Sequence, residues 1–86
     1  MKHKIYVGVT AYVNPEGKAK PVSVTWEDGS VYEIDRITAV KTLGIRIRYT
    51  VWIWGRERQL FLEDTGRWYV EREDGIPDPL YEHAND

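Results

Sequence analysis

Between residues 45 and 72 the apolar positions keep a period of two, which strands accommodate and helices do not. Ile45, Ile47, Tyr49, Val51 and Ile53 alternate with Arg46, Arg48, Thr50, Trp52 and Trp54. Successive side chains of a strand point to opposite faces, so each set takes one face of a sheet. Gly55-Arg56 suits a tight type II′ turn, with glycine supplying the positive φ. Taking Trp54 and Glu57 as its flanking pair sets Val51 opposite Leu60, Tyr49 opposite Leu62, and Arg48 opposite Glu63. Asp64-Thr65-Gly66 reads as a type I turn closed by a left-handed glycine, flanked by Glu63 and Arg67. It brings Leu62 to Trp68, Leu60 to Val70, and Phe61 to Tyr69. The two turns, each chosen on its own residues, yield one consistent apolar face. A slip of one residue in either would mix the faces.

One face of this meander carries Ile45, Ile47, Tyr49, Val51, Ile53, Leu60, Leu62, Trp68 and Val70, and is expected to be core. The other carries Trp52, Trp54, Phe61 and Tyr69 among Arg46, Arg48, Gln59, Glu63, Arg67 and Glu71. Arg48, Glu63 and Arg67 form an expected cross-strand row, with the carboxylate between two guanidinium groups.

The rest of the chain repeats the strand grammar. Ile5, Val7, Val9, Ala11 and Val13 alternate with Tyr6, Gly8, Thr10 and Tyr12. Asn14-Pro15-Glu16-Gly17 has the residues of a type I turn. A plain hairpin across it would pair Thr10 with Val22 and mix the faces, so a bulge near Pro21 or a splayed loop is expected. Glu27-Asp28-Gly29 gives a turn flanked by Trp26 and Ser30, setting Val24 against Tyr32 and Val22 against Ile34 on the core side. After Ile34 the parity changes, which calls for a bulge or bend at Asp35-Arg36, and Lys41–Gly44 is expected to turn. Short strands with turns about every ten residues point to an all-β fold, a small antiparallel SH3-like barrel of five to six strands. Residues 1–74 would form this single domain. Residues 75–86 would form an extended acidic tail, stiffened by Pro77 and Pro79 and disordered towards its end.

The segments 26–37 (Trp-Glu-Asp-Gly-Ser-Val-Tyr-Glu-Ile-Asp-Arg-Ile) and 48–51 (Arg-Tyr-Thr-Val) carry a resemblance to known proteins. Gly55, Leu60-Phe61 and 67–71 (Arg-Trp-Tyr-Val-Glu) extend it. Over most of 5–72 the chain resembles a group of small uncharacterised single-domain bacterial proteins, though Lys41–Gly44 is shorter than that group's pattern. The resemblance implies a β-barrel in a bacterial cytoplasm, and neither an activity nor a catalytic residue.

Chemistry narrows the function classes. The 86 residues include no Cys, two His (His3 and His83, near opposite ends) and two Ser. A nucleophile–base–orienter set is therefore not expected, and the chain reads as a non-enzyme. The carboxylate pairs Glu27-Asp28, Glu63-Asp64 and Glu73-Asp74 fall at turns, where Asp bonds to nearby backbone. With no phosphate-loop, dinucleotide or zinc spacing, neither cofactor, metal nor small-molecule substrate is expected. No apolar run approaches the ~20 residues of a membrane span, and no leader-like h-region precedes the first strand, so a cytoplasmic setting is expected. Residues 1–62 hold ten Lys/Arg and six Asp/Glu, net +4, whereas residues 63–86 hold two and eight, net −6.

What remains is the aromatic and arginine face. Arg46, Arg48, Trp52, Trp54, Phe61, Arg67 and Tyr69 make the candidate contact of a non-catalytic interaction module, meeting a protein partner or a second copy. A single-stranded nucleic-acid-binding SH3-like or OB-like module is the alternative, since aromatics stack bases and arginines track phosphates. Glu63, Glu71 and the net charge of −2 weigh against it. The same aromatics would equally be interior if the sheet bends over them or if Ile76, Leu80 and Tyr81 fold across.

Overall fold

A computed structural model describes residues 2–73. Seven antiparallel strands follow in order: β1 (Lys2–Val13), β2 (Ala19–Thr25), β3 (Val31–Glu33), β4 (Arg36–Leu43), β5 (Arg46–Ile53), β6 (Arg56–Leu62) and β7 (Trp68–Glu73). They lie in the order β3-β2-β1-β7-β6-β5-β4 in one sheet, curled into a half-barrel. The fold is all-β as expected, with more strands than five or six, because the run 31–43 breaks into β3 and β4 at a corner. There Ile34 N–H donates to Val22 O (2.9 Å) and the next residue, Asp35, donates to Trp52 O (2.8 Å). Consecutive residues thus bond to opposite ends of the sheet, at the bend that the parity change at Asp35-Arg36 demands. The expected tail, with Ile76, Pro77, Pro79, Leu80 and Tyr81, lies outside the described residues.

Three loops form as their residues dictate. Gly17 N–H donates to Asn14 O, Gly29 N–H to Trp26 O and Gly66 N–H to Glu63 O, each at 2.9 Å. Trp26 faces Ser30 and Glu63 faces Arg67 across the closing bonds. Val24 pairs with Tyr32, Leu62 with Trp68 and Phe61 with Tyr69. The bulge near Pro21 is present: the β1–β2 register steps between Thr10↔Ser23 and Ala11↔Pro21, leaving Val22 as the extra residue. Val22 is therefore exposed rather than core.

The β5–β6 hairpin corrects the expected register. Its turn is Trp54-Gly55, both at positive φ (52° and 74°) as a type I′ turn requires, and Ile53 flanks it with Arg56. Tyr49 is consequently opposite Leu60 instead of Leu62, Val51 opposite Arg58 instead of Leu60, and Arg48 opposite Phe61 instead of Glu63. The shift is two residues, so every side chain keeps its face. A second correction concerns β4, which runs on through Lys41 to Leu43 and turns at Gly44-Ile45. Ile45 sits at the tip, 78% exposed, and leaves the core face to which alternation assigned it. β6 and β7 pair only at Phe61–Tyr69 and Leu62–Trp68, so the expected Leu60–Val70 pair is absent from the described register.

The concave side holds the core: Val24, Trp26, Tyr32, Tyr49, Val51, Ile53 and Leu60, with Ile47, Leu62, Trp68, Val70 and the apolar side of β1 packed against it. Tyr49 and Trp68 meet with ring centroids 5.3 Å apart. Tyr49 also donates its hydroxyl to Ala19 O at 2.8 Å, tying β5 to the start of β2.

Candidate interaction face

The convex side of strands β4-β5-β6-β7-β1 displays a continuous row. Lys41 pairs with Arg48, Arg48 with Phe61, Phe61 with Tyr69, and Tyr69 with Tyr6. Alternation puts these on the side opposite the core. The row is therefore a direct product of the sequence rhythm combined with the pairing of β7 to β1.

Its rings are roofed by the protein's own cations. Phe61 and Tyr69 stack with centroids 5.0 Å apart and planes 10° apart. Tyr69 is 0% exposed and Phe61 is 3% exposed. The Arg46 guanidinium lies 4.9 Å from the Phe61 centroid, donates to the Tyr69 hydroxyl at 2.7 Å, and sits 3.7 Å from a Glu71 carboxylate oxygen. The bond to Tyr69 is the main reason that the Arg46 pKa is raised. The Lys4 ammonium stands 4.9 Å above Tyr69, and Tyr6 meets Tyr69 edge-on at 6.0 Å. A cation over a ring face is held by the ring quadrupole, and an arginine stem adds apolar cover.

Glu63 ties this roof together. Lys4 Nζ donates to its Oε2 at 3.0 Å and Tyr6 Oη at 3.1 Å. Chiefly through the Lys4 bond, the Glu63 carboxyl is held below its ordinary value and the Lys4 ammonium above its own. The expected row of Arg48, Glu63 and Arg67 is thus replaced. Arg67 still faces Glu63 across the loop, but its guanidinium lies 3.5 Å from the Tyr6 centroid. The buried Nε of Arg48 has no hydrogen-bond partner among the described residues.

The seven expected site residues accordingly divide. Arg46, Phe61, Arg67 and Tyr69 share one cluster, and Arg48 adjoins it in the row. Trp52 lies beside it in β5, half-buried, with the Arg36 guanidinium 4.6 Å from its ring. Trp54 stands apart at the hairpin tip, 52% exposed, its ring edge-on to core Tyr32 at 5.6 Å. Sequence reasoning missed Lys4, Tyr6, Arg36 and Lys41 as members of the face. Lys4 and Tyr6 reach it only because β1 pairs with β7, a contact between distant segments that no connecting turn announces.

By register, among residues whose side chains are described, the face gathers Lys4, Arg36, Lys41, Arg46, Arg48 and Arg67 against Glu57, Glu63 and Glu71, six cations to three carboxylates, or +3. It is a basic surface on a chain of net charge −2. Among the described residues no group of three or more His, Cys, Asp or Glu is placed to hold a metal ion, and no helix is long and apolar enough to cross a membrane.

Comparison with protein-family models, curated proteins and solved structures finds no match to this chain.

Proposed function

We propose that the chain is a non-catalytic interaction module, an SH3-like barrel of the kind its resemblance to small bacterial cytoplasmic proteins implies. Its contact is the convex face, and its partner is an acidic protein surface. The observation carrying this reading is that three guanidinium groups, those of Arg36, Arg46 and Arg67, lie over the rings of Trp52, Phe61 and Tyr6. A guanidinium stacked on a ring has already lost much of its side-chain freedom, so its remaining N–H donors meet a carboxylate at lower entropic cost than a free lysine would. The excess of +3 on the face supplies complementarity and steering. Nucleic acid shares the attraction to these cations but would lack its stacking platform, because Phe61 and Tyr69 are buried.

The test is titration at low salt with a short poly-glutamate peptide and with an oligothymidine of matched charge. Poly-glutamate is expected to bind, Arg36→Gln and Arg67→Gln to weaken it several-fold each, and oligothymidine to bind no more tightly. Absence of poly-glutamate binding, with a monomer by sedimentation at high concentration, would overturn the reading. Tighter oligothymidine binding would replace it with the nucleic-acid module.

A further inference from the structure

The half-barrel stays open along one seam, whose walls are the start of β2 and the whole of β4. Among the described residues neither wall has a strand partner across the gap. A cavity of about 580 Å³ lies in the seam, with Ala19 on one side, Val40 and Thr42 on the other, and Ile47, Tyr49 and Leu62 as its floor. A second, of about 550 Å³, lies between Pro21 and Ile37. The two walls differ in what their backbones offer. On the β2 side Ala19 O already accepts the Tyr49 hydroxyl at 2.8 Å, and Pro21 has no N–H. On the β4 side Leu43 and Arg46 close the two-residue turn Gly44-Ile45. The closing pair of such a turn exchanges its hydrogen bonds inward, and backbone direction alternates along a strand. Val40 and Thr42 therefore turn their N–H and C=O groups to the seam. One edge of the seam is left to pair.

We propose that the edge of β4 takes a further strand, an extended segment of a partner protein in which apolar and acidic residues alternate. Residues of paired strands that lie opposite each other share a face. Those set against Val40 and Thr42 accordingly point over the floor of Ile47, Tyr49 and Leu62, where apolar side chains gain. The residue between them, set against Lys41, points to the convex side. There β4 exposes Arg36 and Lys41 and carries no carboxylate, so an acid gains. The charged lining of the cavities has the same sign, Lys18, Lys20 and Arg36 against Asp35 alone. An apolar side chain already waits at the edge: Val40 is 58% exposed. The cations also decide against a second copy. Pairing β4 with its own copy would gather two Arg36 and two Lys41 on one ribbon with no acid among them, the arrangement by which edges resist self-pairing. The inference goes beyond the convex-face reading, shares only Arg36 and Lys41 with it, and stands without it.

The experiment titrates the full chain with an alternating Val-Glu octapeptide and follows its amide resonances. The largest shifts are expected at Val40 and Thr42. Val40→Pro removes one outward donor, at an edge where proline is tolerated, and should weaken binding about tenfold. An octapeptide N-methylated at its pairing residues leaves the protein untouched and should lose at least as much. A peptide of the same composition in block order, all Val before all Glu, should bind far more weakly. Arg67→Gln, which weakens the convex face, should leave the alternating octapeptide's affinity unchanged, so the two readings fail separately. Equal binding of the block or N-methylated peptide, or by folded Val40→Pro, would overturn the proposal. Shifts centred on Tyr6 and Arg67, or no binding, would do the same. A dimer of the free chain whose Val40 and Thr42 amides shift on dilution would overturn it too, giving the edge to a second copy.

Discussion

Replacing Trp54 separates two opposed contributions at the β5–β6 tip. The residue sits at φ 52°, in the left-handed region, where an L side chain costs about 1–2 kcal/mol and asparagine is the tolerated exception. Against that strain stands the ring's packing on Tyr32. With 52% of the residue exposed, roughly 100 Å² is buried, worth ~2.5 kcal/mol at ~25 cal/mol per Å². The edge-to-face pair adds ~0.5–1.5 kcal/mol. Trp54→Ala removes the packing and keeps the strain, so it should cost about 3–4 kcal/mol. Trp54→Asn removes the packing and relieves the strain, so it should cost about 2–3 kcal/mol. The difference of ~1 kcal/mol in favour of asparagine isolates the backbone term and corresponds to about 4–8 °C in Tm for a domain this size. Urea denaturation followed by near-ultraviolet circular dichroism measures it. Gly55→Ala is the control: at φ 74°, with nothing within 4 Å of the added Cβ, it should lose only a conformational ~1 kcal/mol. Alanine as stable as asparagine at position 54 would refute the strain. Two variants as stable as the parent would refute the ring's role as a lid on the core.

Two further outcomes follow from the same geometry. Glu63 is held below its ordinary value of 4.5 by Lys4 and Tyr6, so its contribution is complete above that pH and is lost as pH falls through the depressed folded value. The Tm gap between the parent and Glu63→Gln should therefore narrow steadily on acidification, and a gap that is constant with pH would show the pair to be idle. Tyr49→Phe deletes the bond to Ala19 O and should cost ~0.5–1.5 kcal/mol in urea denaturation. Burial raises the Tyr49 phenol above its ordinary 10.0, so its contribution is full below that pH and lost above it. Only the parent should show this extra alkaline loss, and equal alkaline profiles would refute the linkage.

Much of this architecture is legible in the residues because parity is more robust than register. The β5–β6 pairing differs from the expected one by two positions, yet Tyr49, Val51, Ile53 and Leu60 remain core, since a shift of two keeps every side chain on its face. Register itself rested on turn chemistry, and there a tryptophan occupies a left-handed position that preference reserves for asparagine, aspartate or glycine. Ile45 misleads for a related reason. It continues the alternation perfectly, but Gly44 ahead of it takes φ 63° and draws it into the turn.

The state of the convex face depended on what no local pattern carries. Arginine and tyrosine alternating with apolar residues reads as an open binding surface only if the cations point away from the rings. In the folded chain Lys4 and Tyr6 arrive from β1, more than fifty residues distant in sequence, to close over Tyr69 and Glu63. Once such a roof forms, the buried rings of Phe61 and Tyr69 become the support of the cations above them. The rings of Trp52, Phe61 and Tyr6 fix the guanidinium groups of Arg36, Arg46 and Arg67 in place, so the face presents charge rather than π-surface. That inversion favours carboxylates over stacked bases as its counterpart. It also makes Tyr6→Leu informative: apolar cover is kept, the ring beneath Arg67 is lost, and binding of poly-glutamate should weaken while the fold survives.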